Sequence, residues 1–135
     1  MINSLRTKIY NKLNTLEWIA EISDWIPTKF NWFPSIYFIF DRIESSLSDS
    51  NHHERIYYFT INIFQETTTL WNIQSEKNLC NVLDSVIDCF DNSDLDWLAN
   101  DIEAVWWNIQ AVETDNWPAL HWIVVLAVHT FFNLK

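Results

Sequence analysis

The 135-residue chain contains no glycine, and this absence restricts the conformations available to its turns. Glycine reaches positive φ without steric cost, so tight hairpins and phosphate-binding loops usually contain it. Asparagine and aspartate are the residues left to form such turns. The Walker A loop and the dinucleotide-binding fingerprint both require glycines, and the sequence therefore excludes both.

Charge and composition exclude further classes of protein. The chain has 18 acidic and 8 basic residues, a formal net charge of −10, so a basic groove for nucleic acid is not available. Apolar residues make up 49% of the sequence and include nine tryptophans. A single domain over residues 1–135 thus has side chains for a core and some for a partner surface. Without an apolar run of about 18 residues or a secretory signal, we expect a cytosolic product and no membrane contact.

Apolar periodicity predicts two helices. The first spans residues 4–16, with Asn3 or Ser4 as its cap and Arg6, Lys8 and Lys12 opposite the apolar stripe of Leu5, Ile9, Leu13 and Leu16. The second has the stronger stripe: Leu79, Val82, Leu83, Val86, Ile87 and Phe90. Asp84 and Asp88 fall on its solvent side.

Five extended segments are predicted around these helices. They are residues 17–23, 35–43, 54–65, 101–114 and 119–134, with a hairpin loop at residues 45–53 and a turn at residues 114–118. The nearly continuous apolar run of residues 122–128 indicates a strand in the middle of a sheet. The order α-β-β-β-α-β-β predicts an α+β fold, in which a mixed, mainly antiparallel sheet of four to five strands carries two helices on one face.

The histidines and cysteines lack the spacing that a metal or catalytic site needs. His121 and His129 lie on the same side of the last strand but about 26 Å apart, too far to share a metal ion. His52 and His53 are placed in a loop. Cys80 and Cys89 lie on opposite sides of the second helix and cannot form a disulfide within it. We interpret them as reduced thiols beside the core.

The acidic residues also lack the arrangement that a metal or catalytic site needs. Asp91, Asp94, Asp96 and Asp101 lack the register of an EF-hand loop. Asp84 and Asp88, one helical turn apart, could share acid and base roles, but nothing in the sequence predicts a cleft around them. We therefore predict that the chain is not an enzyme and binds no cofactor or metal.

Four tryptophans are candidates for contact with another subunit or partner. Trp106 and Trp107 are neighbours in a predicted strand and point to opposite faces, so one of them meets a second layer, a partner or solvent. Trp25, Trp32 and Trp117 fall in predicted loops. We interpret Trp25, Trp32, Trp106 and Trp117 as interface residues, with cover from within the chain as the alternative.

Several local sequences and the element order resemble tail terminator (tail completion) proteins of long-tailed bacteriophages. The resemblance extends over nearly the whole chain. It comprises the opening helix at residues 5–13, the proline-led strand at 33–38 followed by Asp41 and Glu44, the strand at 55–64, the long helix at 76–90 and the closing strand at 122–130.

This resemblance implies a structural virion protein, made in the host cytoplasm and located in the tail or neck region. It implies a homohexameric ring at the head-proximal end of the tail, which ends tail-tube polymerisation and joins the tail to the head. The partners would be further copies, the tail tube protein and a head-completion or neck protein. An acidic lumen would let DNA pass without specific binding, because like charges gain nothing from counterion release.

Two other functions compete with this interpretation. An acidic immunity or inhibitor protein would bind a basic partner enzyme through charge complementarity. A small enzyme would need a pocket in which several titratable groups converge.

Overall fold

The computed structural model describes residues 1–16, 19–23, 26, 34–47, 52–66, 73–90, 101–113 and 118–133. These residues form helices α1 (Ile2–Leu13) and α2 (Ile73–Phe90). The strands are β1 (Glu21–Ser23), β2 (Ser35–Leu47), β3 (His52–Glu66), β4 (Asp101–Glu113) and β5 (Pro118–Asn133). The predicted α+β fold and its element order are confirmed. Neither helix has the length and hydropathy of a membrane span in the described part of the chain.

The strands form one sheet in the order β1-β2-β3-β5-β4. β1 runs parallel to β2, and the other neighbouring pairs are antiparallel. β5 lies between β3 and β4, as its apolar run predicts, because a strand with neighbours on both sides has little contact with water. One bulge interrupts β2 between Phe40 and Arg42, and another interrupts β4 between Ala104 and Trp106.

The hairpin between β2 and β3 is longer than the sequence predicts. Its register continues to Leu47 and His53, so the predicted loop is reduced to residues 48–51, which lie outside the described residues. His52 and His53 therefore belong to β3, and their placement in a loop is wrong. The polar residues at the end of β2 and the start of β3 do not have high strand propensity, so propensity alone does not predict where these strands end. Strand preference depends more on packing partners than on the backbone.

α1 begins and ends earlier than predicted. Asn3 and Ser4 lie inside the helix, Met1 is its N-cap, and no side chain caps it. Instead the Thr7 hydroxyl donates a hydrogen bond to the Asn3 carbonyl over 3.0 Å. Packing of the apolar stripe rather than a capping side chain fixes this helix, as is common for short helices in proteins.

A single core cluster joins both helices to one face of the sheet. α1 contributes Leu5, Ile9 and Leu13, whereas α2 contributes Leu79, Val82, Leu83, Val86 and Phe90. The sheet contributes Tyr57, Phe59, Ile61 and Ile63 of β3 and Leu120, Val124, Leu126 and Val128 of β5, among others. Asp84 and Asp88 are exposed on the outer side of α2. The prediction of two helices on one face is confirmed.

Candidate assembly surface

The sheet has a second face, which points away from the core cluster and is called the open face below. Side chains alternate along a strand, so the even-numbered residues of β3 point to this face while Tyr57, Phe59 and Ile61 enter the core. The described side chains of the open face are Ser35, Tyr37, Ile39, Arg42, Glu44, Glu54, Ile56, Tyr58, Thr60, Asn62, Phe64, His121, Ile123, Val125, Ala127 and His129. They form three zones along the strands.

The first zone is a stack of rings across β2, β3 and β5. The Tyr37 and Phe64 rings are stacked with centroids 5.8 Å apart, and the Phe64 and His121 rings lie nearly parallel with centroids 4.2 Å apart. Phe64 and His121 are only 6% and 8% exposed. This end of the open face is therefore packed and offers little area to a partner.

His121 in this stack is held as a neutral imidazole. Its Nε2 lies 2.8 Å from Oδ1 of the buried Asn62, so the ring donates its Nε2 proton to the amide oxygen. Burial lowers the pKa of His121 to about 4, because a charged ring would lose its hydration. At neutral pH this histidine adds no positive charge to the surface.

The second zone is apolar and lies in the middle of the open face. Ile39, Thr60 and Val125 share one register row, and Ile123 lies in the next row, beside Asn62. The aliphatic side chains of these rows are partly exposed. Partly exposed aliphatic groups at the centre of a sheet are suited to contact with another protein surface.

The third zone is charged and surrounds Tyr58. The Arg42 guanidinium lies 4.0 Å from the centre of the Tyr58 ring and pairs with Asp41 over 2.7 Å and with Glu44 over 3.4 Å. The Tyr58 hydroxyl donates to Glu44 over 3.0 Å. Exposed pairs of this kind add little to stability, so their main effect is to hold Arg42 in one orientation.

A second polar pair lies further along β3 and β5. Nδ1 of His129 lies 2.6 Å from a carboxylate oxygen of Glu54, and both side chains are partly buried. The Thr130 hydroxyl donates to the carbonyl of Arg55 over 3.2 Å. His121 and His129 thus have different partners, Asn62 and Glu54. The described residues contain no group of three side chains able to hold a metal ion.

The cysteines are not positioned as nucleophiles. Both are free thiols on α2. Burial raises the pKa of Cys89 to about 11, with nearby Asp88 adding to the rise and Lys12 opposing it. The Cys89 thiol donates to the carbonyl of Val86 over 3.2 Å, and the pKa of Cys80 is raised chiefly by burial. Both thiols stay protonated at neutral pH, whereas nucleophilic cysteine is a thiolate.

A cavity of about 350 Å³ opens between α2 and the end of β3. Its lining is Pro34, Gln65, Asn78, Asn81 and Val82. Among the described residues, this lining has amide groups but no titratable side chain.

The predicted interface tryptophans fall mostly outside the described part of the structure. Trp25, Trp32 and Trp117 lie outside the described residues. Trp106 lies in β4 opposite Val125, although its side chain is not described. Sequence reasoning missed the ring stack and the cluster around Arg42, because both depend on which residues of β2, β3 and β5 share a row.

The fold of this chain also occurs in a solved structure of another protein. No protein-family model matches the sequence, and no curated protein is significantly similar to it. Among solved structures, the chain is similar to a chain of the "Virion of native gene transfer agent (GTA) particle", with a TM-score of 0.58 and 13% sequence identity. The similarity covers 96% of this chain and 97% of the other. The two chains therefore share a fold along almost their whole lengths.

Proposed function

We propose that the chain is a structural protein of a phage-like virion. The observation that carries the proposal is the shared fold, which covers nearly all of this chain and nearly all of a chain from a gene transfer agent particle. Coverage of both chains supports a shared unit rather than one common motif inside a larger protein. The open face supports the proposal, since its partly exposed Ile39, Ile123 and Val125 offer area for contact with other proteins.

Within the virion, the proposed role is that of a tail terminator. The chain forms a homohexameric ring at the head-proximal end of the tail, ends polymerisation of the tail tube and joins the tail to the head or neck. Its partners are further copies of itself, the tail tube protein and a head-completion or neck protein. The order of helices and strands supports this role, because it agrees with the pattern on which the resemblance was drawn.

The charge of the chain supports passage of DNA through such a ring. With a net charge of −10, the protein offers phosphates no release of counterions and so no affinity. A ring through which a genome moves has to avoid holding it.

Deletion of the gene from the genome that encodes the particle tests the role. We expect particles without the gene to show heads separated from tails and tails of irregular or excess length in electron micrographs. Mass spectrometry of purified wild-type particles should detect the chain, and antibody labelling should place it where tail and head meet. Particles with normal joined tails after the deletion, and no chain in wild-type particles, would contradict the proposal.

The acidic surface favours one alternative, an immunity or inhibitor protein for a basic enzyme. Asp84, Asp88 and Glu44 are exposed, and a net charge of −10 would attract a basic partner at long range. Capture of one basic protein in a one-to-one complex that weakens steeply with salt, together with absence of the chain from particles, would favour this alternative.

A further inference from the structure

The two edges of the sheet differ in how well they are protected against pairing with another strand. β1 pairs with residues 35–37, so residues 38–47 of β2 have a strand on one side only among the described residues. On this edge Asp41, Arg42 and Glu44 are exposed, and a bulge interrupts the register just before Arg42. Charges and bulges are features by which natural sheets restrict the strands that can join an edge.

The opposite edge, β4, has a bulge of its own between Ala104 and Trp106, but the stretch from Trp106 to Val112 keeps an unbroken register with β5. β4 has 13 residues, and β5 is its one neighbour in the described sheet. Its charged residues Asp101, Glu103 and Glu113 lie near its ends, and residues 104–112 contain neither a charged residue nor a proline. An edge of this length presents N–H and C=O groups that an added strand can satisfy.

We infer that β4 pairs with residues 38–47 of β2 in a second copy of this chain. The inference rests on the proposed function, because a ring whose two faces bind different partners has head-to-tail contacts that join two different surfaces. Among the described residues, β1 also has an open outer edge but only three residues, so the open length of β2 is the edge long enough to pair with β4. This pairing gives every copy one contact through β4 and one through β2, both of the same type.

Chain direction supports the same contact. β2 runs antiparallel to β3, β3 to β5 and β5 to β4, so β2 and β4 are antiparallel within one sheet. Copies related by rotation around a ring keep this relation, and the β4 edge of one copy meets the β2 edge of the next as an antiparallel pair. Antiparallel pairing is the more frequent and slightly more stable arrangement.

Charge supports the contact at one further point. Each copy carries a net charge of −10, so two copies repel unless they meet through surfaces of low charge. Residues 104–112 are such a surface. On the β2 edge Arg42 pairs with Asp41 and Glu44, so residues 38–47 carry a net charge of only −1.

Disulfide trapping tests the pairing, because a disulfide forms only when two Cα atoms come within about 7 Å. Cys80→Ser and Cys89→Ala first remove the native thiols. Asn108→Cys in β4 is then combined, in one chain, with Ile39→Cys, Asp41→Cys or Ile43→Cys in β2. A chain with Asn108→Cys and Asp84→Cys, the latter on the exposed side of α2, is the matched control.

We expect mild oxidation to produce a ladder of covalent oligomers longer than dimers from at least one β2 and β4 combination, and none from the control. The experiment uses both the purified chain and particles assembled with the variants. Covalent dimers from Asn108→Cys alone would indicate that β4 pairs with itself and would overturn the inference. Variants that enter particles yet give no ladder in any combination would also overturn it while leaving the proposed function intact. A ladder from a chain that never enters particles would support the pairing and contradict the proposed function.

Discussion

At the scale of single residues, His121 is a group whose charge is controlled by the fold. Its pKa in the folded chain is about 4, against an ordinary value of 6.5, because burial disfavours the charged ring. The unfolded chain therefore binds more protons than the folded chain between these two pH values. Stability due to His121 is fully present above pH 6.5 and is lost as the pH falls towards 4.

This difference predicts the pH dependence of unfolding. Between pH 6.5 and 4, the free energy of unfolding of the wild-type chain should fall more steeply with acidification than that of His121→Gln, by at most about 1.4 kcal/mol per pH unit. Glutamine keeps an N–H group that can donate to Asn62 but does not titrate. Urea denaturation at several pH values measures both slopes, and equal slopes would show that His121 does not bind its proton differently in the two states.

At the scale of secondary-structure elements, α2 depends on one face for its stability. Leu79 is fully buried in the core cluster, whereas Asp84 is exposed on the same helix. We expect Leu79→Ala to lower the free energy of unfolding by about 2–5 kcal/mol through lost burial and a cavity. Asp84→Ala is the control on the same helix and should change it by about 0.5 kcal/mol or less. Similar losses from both substitutions in chemical denaturation would contradict the packing of α2 described above.

The elements themselves were predictable where a pattern repeats over many residues. The apolar stripe of α2 indicates which side of the helix faces the core. The alternation of Tyr57, Phe59 and Ile61 indicates the same for β3. The register between strands was not predictable, since alternation selects a face but not the opposite residue. The contact of Phe64 with His121 results from that register, as does the placement of Arg42 beside Tyr58. The parallel pairing of β1 was also hidden, because a three-residue strand carries almost no pattern.

At the scale of the whole molecule, the excess of acidic residues determines how the protein behaves towards nucleic acid. A net charge of −10 predicts that the chain does not retard duplex DNA in a gel-shift assay, even at about 50 mM salt, where electrostatic binding is strong. A basic DNA-binding protein run beside it shows that the assay responds. Retardation that weakens as salt is raised would reveal a basic surface that the net charge conceals.

The central pairing of β3 with β5 also has a consequence for the speed of folding. The two strands are separated in sequence by α2 and β4, yet they share the longest ladder of the sheet, from His52 opposite Asn133 to Glu66 opposite Ala119. The chain must close a large loop before the pairing of β3 with β5 can contribute to stability. Chains dominated by such distant contacts fold roughly in milliseconds to seconds rather than in microseconds. Until the loop closes, the aliphatic residues of β3 remain accessible to other unfolded chains, so rapid synthesis at high concentration favours aggregation over the native state.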